Sequence, residues 1–241
     1  MLYLKHLRKP MPRFLFISTL LAATLSAFST TNVQYLYGDF EGETFMDTQS
    51  GAKHTLTAEH YRTWEYGDLF MFADYAYTHE GLQFTDKKND LYGEISPRLS
   101  LDKISGFSTS CGILKESYLS FQYNRSDTYH AWLYGAGADL NIPGFSVFGL
   151  NIYRKHQNVG DHTYQLSLNY IVPLGNQWHF EGFTDWTTKD LLTQNQLLFD
   201  LSRIAGIKEG KLEVGTEWHY YHENTYHTDN DVFQAMLKYT F

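Results

Sequence analysis

Apolar and polar residues alternate with a period of two along most of the chain after residue 30. The pattern is clearest in 163–172, where Tyr164, Leu166, Leu168, Tyr170 and Val172 share one face and Gln165, Ser167 and Asn169 share the other. This periodicity is typical of a β-strand with one apolar and one polar face, because successive side chains of a strand point in opposite directions.

Eleven further segments show this alternation and are separated by turn-forming residues. Three are clear, at 91–101, 178–186 and 211–221, and the others lie near 32–38, 53–66, 69–78, 113–124, 128–140, 145–156, 191–204 and 231–241. An even number of strands of about ten residues each is what a single-chain bacterial barrel requires. The pattern therefore predicts an all-β fold, an antiparallel transmembrane β-barrel of about 12 strands that occupies residues 30–241.

The connections between these segments test the barrel topology. With both chain ends in the periplasm, odd connections should be external loops and even ones tight turns. The odd connections near 39–52, 79–90, 187–190 and 223–230 are polar and fairly long, and most even ones are short. Two depart from this rule, since 103–112 is long for a turn and 124–127 is short for a loop.

Composition favours the barrel over a soluble secreted β-sandwich, which would also explain the alternation. Aromatic residues make up 17% of the chain, yet the mean hydropathy is negative and no long apolar run follows residue 30. A barrel places aromatic girdles at both membrane interfaces and polar residues in its lumen. Aromatic residues that fall near predicted strand ends include Trp64, Tyr66, Trp132, Trp178, Trp186, Trp218, Tyr220 and Tyr239.

The N-terminus resembles a secretory signal peptide. A basic stretch ending at Arg13 precedes the apolar run 14–28, which is short for a membrane span, and small residues offer a cleavage point before Thr30. We expect residues 1–29 to be removed. This segment carries four of the 19 Lys and Arg residues and none of the 27 Asp and Glu, so residues 30–241 have a net charge of −12. Such an acidic chain is unlike a nucleic-acid-binding protein.

Neither catalysis nor a bound cofactor is indicated. The chain lacks the His-x-Ser-Asn-Gly stretch of outer-membrane phospholipases and the other hydrolase, zinc and phosphate-binding motifs that we sought. Cys111 is the single cysteine, which excludes an internal disulfide. His219 and His222 differ in strand parity, so we expect no metal site in the histidine-rich segment that ends at His227.

The polar parity of the clear strands predicts which side chains line the lumen. The candidates are Tyr92, Glu94, Arg98, Glu116, Tyr118, Glu181, Asp185 and Glu217. The charged residues have two possible roles: they line a solute pathway, or they form an internal salt-bridge network that stabilises the barrel. For the two tyrosines, stacking against a solute competes with ordinary packing. We also expect Pro97 to mark a β-bulge, since proline disturbs regular strand pairing.

The segment 94–103, EISPRLSLDK, resembles a stretch of the Tsx-like nucleoside-specific channel family of outer-membrane proteins. Segments similar to those of the family follow in the same order at 115–124, 132–157 and 182–186, and the closing strand ends, like theirs, on an aromatic residue, Phe241. The resemblance implies the bacterial outer membrane as the location and Phe241 as an assembly signal.

The expected function is a narrow channel for passive diffusion of small solutes, with nucleosides implied by the resemblance and the lipid bilayer as surroundings. The alternative is a surface barrel with little transport, whose external loops act as a docking site, for example for phage. The two hypotheses differ in where function lies. The first depends on lumen residues and the second on the loops near 39–52 and 223–230.

Overall fold

Twelve antiparallel strands make up most of the chain and confirm the predicted fold class. The computed structural model describes residues 28–40, 51–79, 87–224 and 228–241. The strands are β1 Ser29–Phe40, β2 Gly51–Trp64, β3 Gly67–Thr78, β4 Asn89–Ser100, β5 Leu114–Arg125, β6 His130–Leu140, β7 Val147–Gln157, β8 Thr163–Pro173, β9 Trp178–Thr187, β10 Asp190–Asp200, β11 Lys211–Glu223 and β12 Thr228–Thr240. The predicted signal peptide lies outside the described residues, apart from Phe28 and Ser29.

Each strand pairs with its sequence neighbours, and β1 pairs with β12 to close the barrel. In the closing pair, Asn32 lies opposite Thr240 and Tyr37 opposite Ala235. Closure leaves no exposed sheet edge, so the backbone polar groups are satisfied within the wall, as the bilayer core demands. No helix in the described ranges is both long enough and apolar enough to cross a membrane.

The two unexpected connections are confirmed, because 101–113 is a long connection at the periplasmic end and only residues 126–129 join β5 to β6. The long connection contains α1, Leu101–Ser105, and the connection after β10 contains α2, Ser202–Ala205. The predicted strand 191–204 was therefore too long, since β10 ends at Asp200. The predicted loop 187–190 is also shorter than expected, because only residues 188–189 separate β9 from β10.

Helix α1 is set by its capping residues. The Ser100 hydroxyl accepts from the Lys103 amide at its N-terminus, and Gly106 adopts φ 73°, which glycine tolerates best, at its C-terminus. Beyond the helix, the Thr109 hydroxyl and amide donate to Asp102 and hold the pKa of its carboxyl below the ordinary value. These contacts order the long periplasmic connection.

Side chains alternate between the lipid-facing and lumen-facing surfaces of the wall, as β12 illustrates. Phe233 is 70% exposed on the outside, whereas Gln234 is 3% exposed and Lys238 6% exposed on the inside. The core of this molecule is thus the barrel interior, and many of its members are polar. On the outside, exposed aromatic residues form bands near both ends, including Trp132 and Trp186 externally and Tyr66 and Trp178 at the periplasmic end.

Pro97 does not create a bulge, which corrects the prediction. The register between β4 and β5 is the same on both sides of it, with Ile95 opposite Tyr123 and Arg98 opposite Ser120, while Ser96 and Pro97 drop out of the pairing. Proline has no amide hydrogen to donate, so it interrupts the ladder without adding a residue. The register instead shifts between Leu114 and Glu116, where β5 pairs with β6.

Glycines in β6 allow close approach of neighbouring strands. A Cβ atom on Gly135 would lie 1.8 Å from the Ile152 carbonyl oxygen, and one on Gly137 would lie 2.5 Å from the Ser120 hydroxyl. The GAGADL stretch at 135–140 is therefore part of a crowded strand, in which the absence of side chains at Gly135 and Gly137 leaves room for groups of β7 and β5.

Candidate functional site

The structure places all eight predicted lumen residues on the inner face of their strands. Tyr118 is 4% and Glu217 3% exposed. On β4, Leu91 and Ile95 have the opposite strand parity to Tyr92 and Glu94, and they are at least half exposed toward lipid. The eight residues do not form one site. They belong to several clusters that differ in charge and in their height within the barrel, and their role in a solute pathway stays a prediction.

Arg98 is the centre of an ion network at the periplasmic end of β3–β6. Its Nε and Nη2 atoms donate to the two carboxylate oxygens of Asp68 at 2.9 and 2.6 Å, and its Nη1 donates to Asp139 at 2.8 Å. The Tyr118 ring lies 4.0 Å from the guanidinium carbon, and its hydroxyl donates to Asp139 at 3.0 Å. Glu116, which accepts from Ser100, lies on the same wall. This arrangement fits the salt-bridge interpretation of Arg98.

A second ion network lies at the periplasmic end of β9–β12. Lys238 donates to Glu181, and His179 lies between Glu181 at 3.2 Å and Glu213 at 3.3 Å. Lys211 approaches Glu213 at 2.6 Å. Because Lys238 and Glu181 are on strands separated by two others, this network extends across the interior surface rather than along a single pair of strands.

Amide and carboxylate side chains meet in the middle of the barrel. Gln196 donates to Gln34 at 3.1 Å and to Glu217 at 2.8 Å, and Gln234 donates to the other Glu217 oxygen at 2.9 Å. We call these four residues the waist. Beside them, Leu36, Leu198 and Met236 form a small apolar cluster. The Oε1 atoms of Gln196 and Gln234 are buried and, within the described chain, have no hydrogen-bond partner.

Glu94 lies in the external half of the lumen, on β4. It accepts from the Tyr92 hydroxyl and from Gln122, the latter at 2.8 Å. Asp185 of β9 accepts from Ser167, and Lys155 of β7 interacts electrostatically with both carboxylates.

An aromatic ladder lies on the inner face of β3 and β4. The Phe70 and Phe72 ring centroids are 6.0 Å apart, and those of Phe72 and Tyr92 are 5.9 Å apart. All three side chains are only half-buried. Tyr92 also packs against a cluster of Tyr129, Ala131, Leu133 and Tyr153. We call Phe70, Phe72 and Tyr92 the aromatic ladder.

Phe70 and Phe72 face the lumen but are not among the eight residues predicted to line it. A signal was present, because both have the same strand parity as Asp68 and Asp74, which as charged residues should face the lumen. Their apolar side chains, taken alone, do not mark them as lumen-facing. Four more lumen residues were not predicted, because the alternation is weaker in their strands. They are Gln34, Lys155, Gln196 and Gln234.

Carboxylates outnumber cations among the lumen-facing residues that the structure describes. The cations are Lys53, Arg98, Lys155, Lys211 and Lys238. The carboxylates are Glu59, Asp68, Asp74, Glu94, Glu116, Asp139, Glu181, Asp185, Asp190, Glu213, Glu217 and Glu223. The lumen therefore carries a net negative charge at neutral pH.

The histidine-rich segment behaves as its parity predicts. His219 is 6% exposed inside the barrel, where its ring meets Phe40 edge-on at 5.5 Å. His222 lies outside and contacts Asp229 and Asn224. His227 is outside the described residues. Within the described ranges no group of three or more His, Cys, Asp and Glu side chains is arranged to hold a metal ion.

Residues 34–197 match a protein family described as "Nucleoside-specific channel-forming protein, Tsx". The chain belongs to the Tsx family. Similar members include the nucleoside-specific channel-forming protein Tsx of Klebsiella aerogenes, 33% identical over 121 residues, and the outer membrane protein OmpK of Vibrio parahaemolyticus, 29% identical over 108 residues. Each match covers about two fifths of this chain and 41% of the relative. The chain spans about two fifths of the length of these relatives, and family membership together with the closed barrel establishes it as an outer-membrane β-barrel.

Solved structures agree with the fold of this Tsx-family barrel. The KdgM porin superimposes with a TM-score of 0.51, covering 87% of this chain and 99% of the porin, at 8% sequence identity. The same porin in complex with disordered oligogalacturonate gives a TM-score of 0.52. At such low identity the likeness concerns architecture alone.

The docking alternative depends on loops that the structure describes only in part. Residues 41–50 of the first external loop and 225–227 of the last lie outside the described residues. Docking through these loops, including docking of phage, stays a prediction.

Proposed function

We propose that this protein is a narrow outer-membrane channel through which nucleosides diffuse passively. The observation that carries the proposal is the aromatic ladder beside polar groups on the lumen wall. Aromatic rings contribute about 1 to 3 kcal/mol per stacked base in other nucleobase sites. Glu94 and Gln122 next to the ladder supply an acceptor and an amide for the edge of a base.

The waist supplies complementary partners for a ribose. The unpartnered Gln196 and Gln234 oxygens would accept hydrogen bonds from sugar hydroxyls, which would satisfy two buried groups. Asp74, which follows the ladder on β3, interacts electrostatically with both Glu94 and the waist residue Glu217. Ladder and waist are therefore neighbouring parts of one lumen, as a solute with an aromatic base and a polar sugar requires.

The negative lumen favours neutral nucleosides over nucleotides. A phosphate group brings about two negative charges at neutral pH, and like charges in a narrow, partly desolvated lumen repel strongly. The waist side chains, three amides and the Glu217 carboxylate, are joined by hydrogen bonds, which water or a passing solute can replace. Weak and replaceable contacts suit a channel, because a solute must leave as readily as it enters.

Liposome swelling with adenosine and with adenosine monophosphate tests this proposal. We expect adenosine to enter faster in liposomes that contain the protein, and the monophosphate to enter no faster than in liposomes without it. Phe72→Ala should reduce the advantage of adenosine over a sugar of similar size. Phe233→Ala is the matched control, because it removes an equal ring from the lipid-facing side. The proposal would be refuted if adenosine and adenosine monophosphate entered equally fast, or if neither entered faster than in liposomes without the protein.

A further inference from the structure

The outer surface of β5–β8 carries a group of basic side chains at its external end. Arg125 ends β5, His130 begins β6 directly opposite it, Arg154 and His156 face outward near the end of β7, and His162 precedes β8. We call these five residues the basic arc. In a chain whose residues 30–241 are strongly acidic, such a concentration on one outer face is unusual.

The basic arc lies directly on aromatic side chains of the external girdle. The Arg154 guanidinium carbon is 4.8 Å from the Tyr164 ring centroid. His156 stacks on Tyr134 with centroids 5.5 Å apart and hydrogen-bonds to its hydroxyl at 3.0 Å, and the His162 ring is 4.5 Å from His156. Because aromatic girdles mark the membrane interface, these basic groups lie at the level of lipid headgroups.

Neither arginine of the basic arc forms an ion pair among the described residues, although the pKa of Asp127, lowered chiefly by its hydrogen bond with Lys87, is lowered further by the charge of Arg125. Among the described residues, no carboxylate lies within ion-pair distance of Arg125 or Arg154. The acidic residues in the adjoining loops are engaged elsewhere, since Asp127 binds Lys87 and Asp161 binds Lys189. Guanidinium groups at an interface are suited to forked hydrogen bonds with phosphate oxygens.

At the external end of β11 and β12, the outward-facing polar side chains have partners within the protein. There His222 contacts Asp229, and the Trp218 indole donates to Asp231 at 2.6 Å. Outward-facing polar groups on that side are thus satisfied within the protein, whereas Arg125 and Arg154 of the basic arc keep a positive charge for which the described residues form no ion pair. The difference indicates a partner specific to β5–β8.

We propose that the basic arc binds the phosphorylated headgroup of a lipid in the outer leaflet. The two guanidinium groups contact phosphate, the histidines add hydrogen bonds, and the acyl chains lie on the apolar surface below, which includes the exposed Phe121 and Ile152. A lipid rather than a soluble anion is the occupant, because the basic groups sit on the membrane girdle and an amphiphile can use both the charge and the apolar wall.

Native mass spectrometry of the detergent-purified full-length protein tests the proposal with lipid A as the probe. The bisphosphorylated form should bind about tenfold more tightly than the same lipid with both phosphates removed, as expected for a charge-assisted hydrogen bond gained. Arg125→Gln combined with Arg154→Gln should abolish that difference. Arg203→Gln with Lys208→Gln, which removes two exposed cations at the periplasmic end, should preserve it.

Other outcomes would overturn the proposal. Equal binding of the two lipid forms, an unchanged preference in the arginine double variant, or an equal loss in the control variant would each do so, as would displacement of the lipid by inorganic phosphate. Retained heat-modifiable mobility on gels confirms that each variant is folded. If the double variant fails to fold, Arg125→Gln alone serves, because Arg125 is exposed at the rim and its loss should reduce the preference severalfold.

Discussion

The Arg98 guanidinium lies over the Tyr118 ring, 4.0 Å from its centroid, while the nitrogen atoms of Arg98 reach Asp68 and Asp139. This one cation on β4 thus contacts three other strands, β3, β5 and β6, and is the shared counter-charge of two carboxylates on the lumen wall. Such a group is costly to remove, because the carboxylates would remain without a counter-charge.

We expect Arg98→Gln to lower the free energy of unfolding by about 3 to 5 kcal/mol, the range for breaking a buried ion pair. Arg98→Lys should recover part of the loss, because it restores charge without the forked geometry. Equilibrium unfolding in guanidinium chloride from detergent micelles measures both effects. Lys103→Gln is the control, because Lys103 is 40% exposed and its ion pair with Glu116 is long, at 3.8 Å. This substitution should lower the free energy of unfolding by less than about 1 kcal/mol. Equal stability of Arg98→Gln and wild type would contradict the assigned role.

We expect the waist residues to limit the width of the lumen, because their side chains hydrogen-bond to one another between strands that are not neighbours. Replacing Gln34 and Gln196 together by Ala removes two amides that hydrogen-bond across the middle of the barrel, so we expect a severalfold increase in single-channel conductance. Gln177→Ala, in the turn between β8 and β9, should leave conductance unchanged. An unchanged conductance in the waist variant would show that another part of the channel limits flow.

The charge of the lumen should set its ion selectivity. In a salt gradient across a planar bilayer, the reversal potential should have the sign of a cation-selective pore, because cations are attracted and anions excluded. Glu217→Gln should reduce this selectivity measurably, whereas Glu209→Gln, outside the lumen, should not. A reversal potential of the anion-selective sign would contradict the description of the lumen.

Phe241 follows the closing strand, where its amide donates to Thr31 at 2.9 Å and its ring meets Tyr239 edge-on at 5.0 Å. We expect Phe241→Ala to decrease the amount of folded protein in the outer membrane severalfold, in keeping with the predicted assembly signal. Phe233→Ala removes an equally exposed ring from the same strand and should have little effect. Equal amounts of the two variants in membrane fractions would argue against a special role for Phe241.

Much of the architecture could be predicted because alternation reports directly which side of a strand faces lipid. It placed Phe233 and Leu237 outside and Glu217 inside, and it recovered twelve strands. It failed where sequence patterns are ambiguous. The residues after Asp200 continue an apolar-polar pattern but form α2, and Phe70 and Phe72 are apolar yet face the lumen.

The contacts across the lumen could not be predicted. Lys238 meets Glu181, and Gln34 meets Gln196, because strand tilt and stagger bring distant strands to the same height. Those quantities follow from the closure of the whole barrel rather than from any local pattern. The clustering of the eight predicted lumen residues into separate networks therefore emerged from the structure alone.

The most direct test of a nucleoside channel is single-channel recording in a planar bilayer while adenosine is added. The account predicts a small steady conductance that millimolar adenosine partly blocks, with the block weakened in Phe72→Ala and unchanged in Phe233→Ala. A conductance that adenosine does not alter, or a barrel that conducts no ions with or without adenosine, would contradict it.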